Sequence, residues 1–233
     1  AFDVTSGTLT ELWDAARAAQ HPPTAEEIAA AQSRVDWHAL ELRERAADDG
    51  EHPEVRLLRA GMKIDRGALI KGLALDGIAR SWAAGGAVNA LADLGSSSIL
   101  ACGVNAEGEP WRIGVRNPRG ESRNDLAATV QLSDAMLSAS GDDERYFLYE
   151  GRRYHHLVDP RTGDPAETGL ASVTVILPQD AMTGTMWAGH EGQLSDMLST
   201  AIFVMGAERG RSLLTDIPGA QLILIGTDGR VIE

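Results

Sequence analysis

Residues 171–177 read Ala-Ser-Val-Thr-Val-Ile-Leu, and this stretch is the clearest β-strand signal in the sequence. β-Branched residues alternate along it, which is typical of a strand. Two shorter strands are predicted before it at 145–149 and 152–156, and two helices after it at about 194–205 and 207–215. Hairpins mixed with helices, without regular alternation, predict an α+β fold with mixed, mostly antiparallel sheets and packed helices.

The other elements follow from periodicity and turn residues. Apolar residues at helical spacing predict helices over 8–19 and 68–84, and the capping-box pattern at Thr24 opens a helix that ends near Val35. Further predictions are a hairpin over 55–64 turning near Gly61, paired strands at 97–103 and 111–116, and strands at 128–133 and 221–225. No repeat or linker interrupts the chain, so a single domain over 1–233 is predicted.

The composition excludes several classes of partner. The chain has 233 residues, 43% hydrophobic and 24% charged, which is ordinary for a globular protein. Its formal net charge of −13 argues against nucleic acid and anionic membranes as partners. No segment approaches the eighteen or so apolar residues of a membrane span. The single cysteine, Cys102, excludes an internal disulfide and is expected to pack in the core.

The run 154–163 reads Tyr-His-His-Leu-Val-Asp-Pro-Arg-Thr-Gly and offers a candidate for proton transfer. Proline fixes one backbone dihedral and glycine allows a positive one, so residues 159–163 are predicted to form a tight loop. His156 precedes Asp159 by three residues, and histidine has the side-chain pKa nearest neutrality. The local alternative is a hairpin loop with two half-exposed histidines.

The segment 65–72 reads Asp-Arg-Gly-Ala-Leu-Ile-Lys-Gly and resembles a phosphate-binding corner. Asp65 is expected to end a strand, and a helix is expected to begin at about Ala68 with Lys71 in its first turn. Free N–H groups at a helix start attract anions, and a lysine adds a full positive charge. The alternative is that Asp65 only caps the helix and that Lys71 is solvated.

Asp196 and Thr200 form a candidate cation site. A spacing of four places them on one helical face, one turn apart. A carboxylate and a hydroxyl, completed by backbone carbonyls and water, suit Mg²⁺. The alternative is an N-cap aspartate followed by a threonine that bonds back to its own helix.

Two polar, glycine-bearing segments, 89–98 and 138–142, are interpreted as turns. Each could hydrogen-bond a flat heterocycle through backbone and hydroxyl groups, or be a plain turn. Four tryptophans are expected in packed elements: Trp13, Trp37, Trp82 and Trp111. The glycine-rich stretch around Trp187 is interpreted as a surface insertion.

These segments, in this order, resemble the ApbE family of Mg²⁺-dependent FAD:protein FMN transferases, also called flavin transferases. The resemblance covers almost the whole chain, and six motifs in the same order argue against a chance match. The matching segments are 1–3, Asp65 to Gly72, 93–95, 140–142, 156–163 and 196–201.

The resemblance implies that FAD donates FMN to a threonine hydroxyl of a target flavoprotein and that AMP is released. It implies that His156 lies at the reacting centre. His156, oriented by Asp159, is then the candidate base for the threonine hydroxyl, and an aspartate near the metal is the rival. The Mg²⁺ ligands would be the Ala68 carbonyl, Asp196 and Thr200. The residues that would contact FAD are Ala1, Phe2, Asp3, Asp65, Lys71, Ser140, Gly141 and Val158.

The resemblance also implies that part of the family's N-terminal region is absent here and that residues at about 183–194 are an insertion. Two other functions use the same residues: a FAD pyrophosphatase that gives free FMN and AMP, and a non-catalytic FAD-binding protein. Family resemblance favours an extracytoplasmic or membrane-associated location, and a cytoplasmic one is the alternative.

Overall fold

A computed structural model describes residues 2–43, 54–122 and 124–232. Its contacts divide the chain into two compact units, each assembled from two segments. Unit 1 is Ala1–Arg66 with Arg145–Pro165, and unit 2 is Gly67–Glu144 with Ala166–Glu233. The single domain expected from the sequence stays a prediction.

The five helices of the described residues are α1 (Gly7–Ala19), α2 (Ala25–Gln32), α3 (Ile70–Gly85), α4 (Glu191–Met205) and α5 (Ala207–Leu214). The strands described are β1 (Leu40–Arg43), β2 (Glu54–Leu57), β3 (Ala90–Asp93), β4 (Ser98–Cys102), β5 (Trp111–Arg116), β6 (Leu126–Leu132), β7 (Ala135–Gly141), β8 (Tyr146–Tyr149), β9 (Arg152–His155), β10 (Leu170–Pro178), β11 (Gln221–Gly226) and β12 (Val231–Ile232). All the strand pairings among them are antiparallel, which confirms the α+β prediction.

An aromatic stack forms the core of unit 1. Trp13 of α1 stacks on Tyr154 of β9 with ring centroids 5.7 Å apart, and Phe147 of β8 lies 5.2 Å from the same ring. Such aromatic pairs add about 0.5–1.5 kcal/mol beyond their buried area. The stack therefore fixes α1 against the β8–β9 hairpin, directly before the loop at 159–163.

In unit 1, the structure confirms the capping box predicted at Thr24. The Thr24 hydroxyl accepts the Glu27 N–H at 3.2 Å, and the Glu27 carboxylate accepts the Thr24 N–H at 2.8 Å, as the capping box requires. α2 ends at Gln32, three residues before the predicted end. The tight turn of the β8–β9 hairpin places Glu150 and Gly151 at φ 49° and 79°.

Unit 2 is built on a six-stranded sheet with the order β12-β11-β10-β7-β4-β3. β10 contains the stretch 171–177 and is buried from Leu170 to Leu177, so the clearest strand of the sequence is an inner strand of the sheet. On one face, Leu100 and Met136 pack against Leu75 of α3. On the other face, the sheet packs against the β5–β6 ribbon.

Two strand pairings predicted from the sequence are wrong. β4 pairs with β3 and β7, and β5 pairs with β6, so the segments 97–103 and 111–116 are not partners. The segment 55–64 does not fold back on itself, because β2 pairs with β1 at 40–43, a strand that was not predicted. The choice of partner depends on which surfaces become buried, and local alternation carries no information about it.

Three further expectations need correction. Residues 138–141 belong to β7 and are not a turn. Trp37 is 58% exposed and does not pack in a core. Turns run through 181–189, but α4 begins at Glu191, which is buried, so the end of the expected surface insertion is a buried helix start. Of the helices in the described ranges, none has both the length and the apolar character needed to cross a membrane.

Candidate functional site

The tight loop predicted at 159–163 in unit 1 is confirmed. The Gly163 N–H donates to the Asp159 carbonyl at 2.8 Å, and Gly163 has φ 80°. Two helices hold this loop from outside: the Trp13 indole N–H donates to the Gly163 carbonyl at 2.8 Å, and the Gln32 amide donates to the Pro160 carbonyl at 3.2 Å. The loop conformation is therefore fixed both internally and by α1 and α2.

The Asp159 carboxylate is occupied by Arg161. It accepts the Arg161 backbone N–H at 2.9 Å and a guanidinium N–H at 2.6 Å. Burial alone would raise the pKa of Asp159, but the hydrogen bonds and charge of Arg161 outweigh it and lower the pKa. In the described part of the chain, the recorded partners of this carboxylate do not include His156. The predicted role of Asp159 in orienting His156 stays a prediction without a contact to support it.

His156 lies directly after β9 and is held by its backbone N–H, which donates to the Arg145 carbonyl at 3.1 Å. Its Nδ1 is buried and makes no hydrogen bond to the described atoms. Burial, followed by the charges of Arg145 and His155, lowers the pKa of His156 to about 4. The imidazole is therefore neutral at pH 7 and is a weaker base than an exposed histidine. His155 is buried, so the alternative of two half-exposed histidines is wrong.

Asp3 and Asp65 are brought close together within unit 1. The Asp65 N–H donates to the Val4 carbonyl at 2.8 Å, and the Asp65 carboxylate accepts the Thr10 hydroxyl at 2.5 Å. Asp3 accepts both the N–H and the hydroxyl of Thr5, at 2.8 and 2.6 Å. The backbone of Asp65 is thus hydrogen-bonded to the residue that follows Asp3, although the two aspartates are distant in sequence.

The other residues predicted for this part of the site lie as follows. Asp65 neither ends a named strand nor caps α3, whose N-cap is Leu69. Phe2 is partly buried, and Ala1 lies outside the described residues. Val158, also partly buried, pairs with Pro165 in an isolated β-bridge.

In unit 2, Lys71 is the second residue of α3, which confirms its place in the first helical turn. It is partly buried, and its ammonium group donates a hydrogen bond to the Ser97 hydroxyl. Ala68 lies in the turn just before this helix. The alternative of a fully solvated Lys71 is therefore wrong, and its charge is held beside the loop that leads into β4.

Asp196 and Thr200 lie inside α4, one turn apart. Asp196 is buried, and its Oδ2 accepts the Gly72 N–H at 3.1 Å. Burial raises the pKa of Asp196, and the Gly72 N–H and the Lys71 charge oppose the rise. The Thr200 hydroxyl lies 3.0 Å from the Ser140 hydroxyl. Asp196 is thus not the N-cap of its own helix, and the recorded Thr200 bond is to β7.

The donor set around Asp196 fits a hard cation. A buried carboxylate with a raised pKa gains from a nearby positive charge, and a hydroxyl one turn away adds a second oxygen. The described residues contain no cluster of three or more acidic, histidine or cysteine side chains that could enclose a metal. Mg²⁺ typically uses only one or two carboxylates together with water and substrate phosphates, so this sparse set suits it.

A cavity of about 230 Å³ opens on the ribbon side of the unit 2 sheet. Ile113 and Leu137 contribute apolar surface, and Ser140 and Gly141 contribute polar groups. Thr174 also lines it, and its buried hydroxyl makes no hydrogen bond to the described atoms. Charged residues also line the cavity, including Arg116 and its ion-pair partner Asp143, so its lining is mixed apolar and polar.

Sequence reasoning missed several partners of the predicted residues: Ser97, which receives the Lys71 hydrogen bond; Arg161, which holds Asp159; and Ser199, which contacts Ser140 at 2.8 Å. It also missed Asp76, a fully buried acid on α3. Arg161 lies two residues after Asp159 within a quoted motif, and that spacing could have suggested it, whereas the partner of Ser199 is distant in sequence. Ser97 and Asp76 have partners far along the chain, which no local pattern reveals.

Comparisons with known proteins show the family and the fold. The sequence model of the ApbE family matches residues 1–224. A crystal structure of the ApbE protein of Thermotoga maritima is 34% identical, with a TM-score of 0.76 over 100% of this chain and 69% of that one. The flavinyl transferase ApbE of Pseudomonas stutzeri is 29% identical, with a TM-score of 0.74 over 99% of this chain and 65% of that one.

Curated relatives carry one name. The FAD:protein FMN transferase of Treponema pallidum is 33% identical over 239 residues, which cover 99% of this chain and 62% of the relative. The protein of the same name from Haemophilus influenzae is 30% identical over 233 residues, again with 62% of the relative covered. The chain therefore spans somewhat less than two thirds of the length of these relatives.

Proposed function

The chain belongs to the ApbE family, and from that premise we propose that it is a Mg²⁺-dependent transferase that moves FMN from FAD to a threonine of a target flavoprotein. The family match over residues 1–224 is the observation that carries this proposal. The names of the relatives supply the donor and the transferred group. The threonine acceptor, the release of AMP and the metal are the finer parts of the proposal.

We propose that Mg²⁺ is held by Asp196, Thr200 and the Ala68 carbonyl. The buried Asp196 carboxylate and the neighbouring Thr200 hydroxyl support this assignment. When bound, the metal would neutralise negative charge that develops on the phosphates. Lys71, held by Ser97, would add a fixed positive charge for the same phosphates.

We assign the remaining contacts with FAD, the FMN donor, as the family resemblance implies them. In unit 1, Ala1, Phe2, Asp3, Asp65 and Val158 are the proposed FAD-contacting residues. In unit 2, Ser140 and Gly141 line the cavity, whose mixed apolar and polar lining supports a role in holding a flat ring.

The proposed reaction replaces the phosphoanhydride bond of FAD with a phosphoester bond to threonine. The acceptor threonine Oγ forms a bond to the phosphorus of the FMN half, the bond to the bridging oxygen breaks, and AMP leaves with that oxygen. The hydroxyl proton must be removed as the new bond forms. His156 is the proposed base because the family resemblance implies that it lies at the reacting centre and because its imidazole is neutral at pH 7. Its lowered pKa makes it a weak base, and an aspartate near the metal is the rival.

The test is an incubation of the full chain with FAD, MgCl₂ and a protein domain that carries an acceptor threonine. Intact mass spectrometry of the acceptor and chromatography of the nucleotides give the readout. The proposal expects an acceptor mass gain of one FMN with one AMP released, and loss of both signals on Asp196→Asn. Asp216→Asn, an exposed acid at a distance in sequence, is the matched control that keeps full activity.

Other products would overturn the proposal in favour of a specific alternative. Free FMN with AMP, and an unmodified acceptor, would identify a FAD pyrophosphatase. FAD that binds and stays intact would identify a non-catalytic FAD-binding protein. Activity retained in His156→Gln but lost in Asp196→Asn would move the role of base to an aspartate.

We also propose an extracytoplasmic or membrane-associated location, which rests on the family resemblance. Cell fractionation of the natural gene product tests it. Recovery with periplasmic or membrane fractions supports the proposal, and recovery only with the cytoplasmic fraction contradicts it.

A further inference from the structure

Helices α3 and α4 begin without side-chain caps of their own. The N-cap residues, Leu69 for α3 and His190 for α4, make no side-chain capping hydrogen bond. The first four N–H groups of a helix have no partner within it, and a buried one left unpaired is costly. Both helix starts therefore need acceptors from elsewhere in the fold.

Each helix supplies a carboxylate to the start of the other. Asp76 of α3 accepts the N–H groups of Gly192 and Gln193, at 2.8 and 3.0 Å, in the first turn of α4. In return, Asp196 of α4 accepts the Gly72 N–H at 3.1 Å in the first turn of α3. Asp76 follows Gly72 by four residues, and Asp196 follows Gly192 by four. On each helix, the glycine that donates its N–H and the aspartate that caps the other helix are therefore one turn apart.

The helices approach so closely that only glycine fits where they cross. A Cβ atom on Gly72 would lie 2.2 Å from the Gly192 carbonyl oxygen. A Cβ atom on Gly192 would lie 2.7 Å from the Asp76 carboxylate and 2.7 Å from the Gly72 carbonyl oxygen. The hydrogen bonds of Asp76 therefore act across a contact with little freedom to slide.

Asp76 is 1% exposed, and burial raises its pKa against the opposing hydrogen bonds of Gln193 and Gly192. A buried carboxylate is expensive unless it is hydrogen-bonded, and the two N–H groups at a helix start are suitable donors. Those donors lie one turn before Asp196, so the position of Asp76 determines where α4 starts and where its Asp196 carboxylate lies.

We infer that Asp76 is a positioning residue for the proposed Mg²⁺ site, which holds the first turn of α4 against α3 and thereby aims Asp196 and Thr200. In this proposal Asp76 is not itself a ligand of the ion. The inference rests on the proposed function, because it takes Asp196 and Thr200 as ligands. Residues that orient metal ligands typically contribute about 10–100-fold in metal affinity.

The test is isothermal titration calorimetry of MgCl₂ into the full chain, with folding checked by circular dichroism. Asp76→Ala is expected to raise the Kd for Mg²⁺ about tenfold or more. Asp76→Asn is expected to raise it by less, because its amide oxygen still accepts one N–H. Asp76→Asn also decides the question if Asp76→Ala does not fold.

Thr168→Val is the matched control. The Thr168 hydroxyl donates to the Phe203 carbonyl at 2.8 Å, at the opposite end of α4 from Asp76. This variant loses one hydrogen bond to the same helix, and its Kd for Mg²⁺ is expected to stay at the wild-type value.

Two outcomes overturn the positioning role while leaving the metal site intact: Asp76 variants with the wild-type Kd, or an equal loss in Thr168→Val. A wild-type chain that takes up no Mg²⁺ would instead overturn the proposed metal site, and the inference with it.

Discussion

Position 163 requires glycine for two reasons: its backbone has a positive φ, and a neighbouring side chain leaves no room for a Cβ atom. It has φ +80°, and a Cβ atom there would lie 2.6 Å from Ile28 Cγ2. Left-handed backbone costs a residue with a side chain about 1–2 kcal/mol, and forcing a methyl group into a packed site costs about 1–3 kcal/mol more. We expect Gly163→Ala to lower the free energy of unfolding by the sum of both effects, as measured by urea denaturation.

Gly169 is the matched control for this prediction. It has φ +77°, but a Cβ atom there would meet nothing within 4 Å. Gly169→Ala should therefore show only the backbone cost of about 1–2 kcal/mol. Equal losses in the two variants would mean that the contact with Ile28 relaxes without cost.

His156 links burial to pH dependence. Its pKa is lowered to about 4 in the folded protein, whereas an exposed histidine titrates near 6.5. The unfolded chain therefore binds the proton first as the pH falls. The contribution of the neutral His156 to stability is present above pH 6.5 and is lost as the pH falls toward 4, by at most about 1.4 kcal/mol per pH unit.

Urea denaturation of the wild-type chain and of His156→Gln between pH 7.5 and pH 4.5 measures this effect. We expect the difference in unfolding free energy between the two proteins to change steadily below about pH 6.5, with the wild type losing stability relative to the variant. A difference that does not vary with pH would show that His156 titrates normally.

The contact between α4 and β7 includes a directed chain of buried hydroxyls. The Ser195 hydroxyl donates to the Gly192 carbonyl at 2.9 Å, so the Ser138 hydroxyl, 2.8 Å away, must donate to Ser195. Both serines are fully buried. Ser195→Ala removes the acceptor that Ser138 needs, and an unpaired buried donor costs about 1–3 kcal/mol.

A double-mutant cycle tests the direction of this chain. We expect Ser195→Ala to cost about 1–3 kcal/mol of unfolding free energy, Ser138→Ala to cost less, and the double variant to cost no more than Ser195→Ala alone. Strict additivity of the two single losses would show that the hydroxyls do not interact.

The elements that the sequence predicts well are those that depend on neighbours in the chain. The Thr24 capping box, the helical first turn with Lys71 and the strand at 171–177 are all confirmed. The pairing of β4 with β7 and the strand character of residues 138–141 were missed, because β7 pairs with β4 and β10, which are distant in sequence. Such contacts become visible only when distant segments meet.

The charge of the whole chain predicts a salt effect on stability. The net charge is −13, and the excess acidic side chains repel each other more strongly in the compact state than in the unfolded chain. Salt screens that repulsion. We expect the midpoint of thermal unfolding to rise by about 2–4 °C when NaCl is raised from about 20 to about 150 mM, which corresponds to about 1 kcal/mol.

The double variant Glu107→Gln with Glu109→Gln removes two negative charges from an exposed loop and serves as a comparison. Its midpoint should lie above that of the wild type at low salt and should rise less with NaCl. A midpoint that falls with NaCl in the wild type would mean that favourable ion pairs outweigh the net repulsion.

The sequence by itself determined the α+β class, the ApbE family, the tight loop at 159–163 and the one-turn spacing of Asp196 and Thr200, because each is written in neighbouring residues. Only the tertiary structure decided that Arg161 pairs with Asp159 and that Lys71 donates a hydrogen bond to Ser97. It also decided that Asp76 and Asp196 each cap the start of the other's helix. The physical reason is that an isolated carboxylate or ammonium group has many possible partners. Burial selects the one whose hydrogen bonds offset the loss of water.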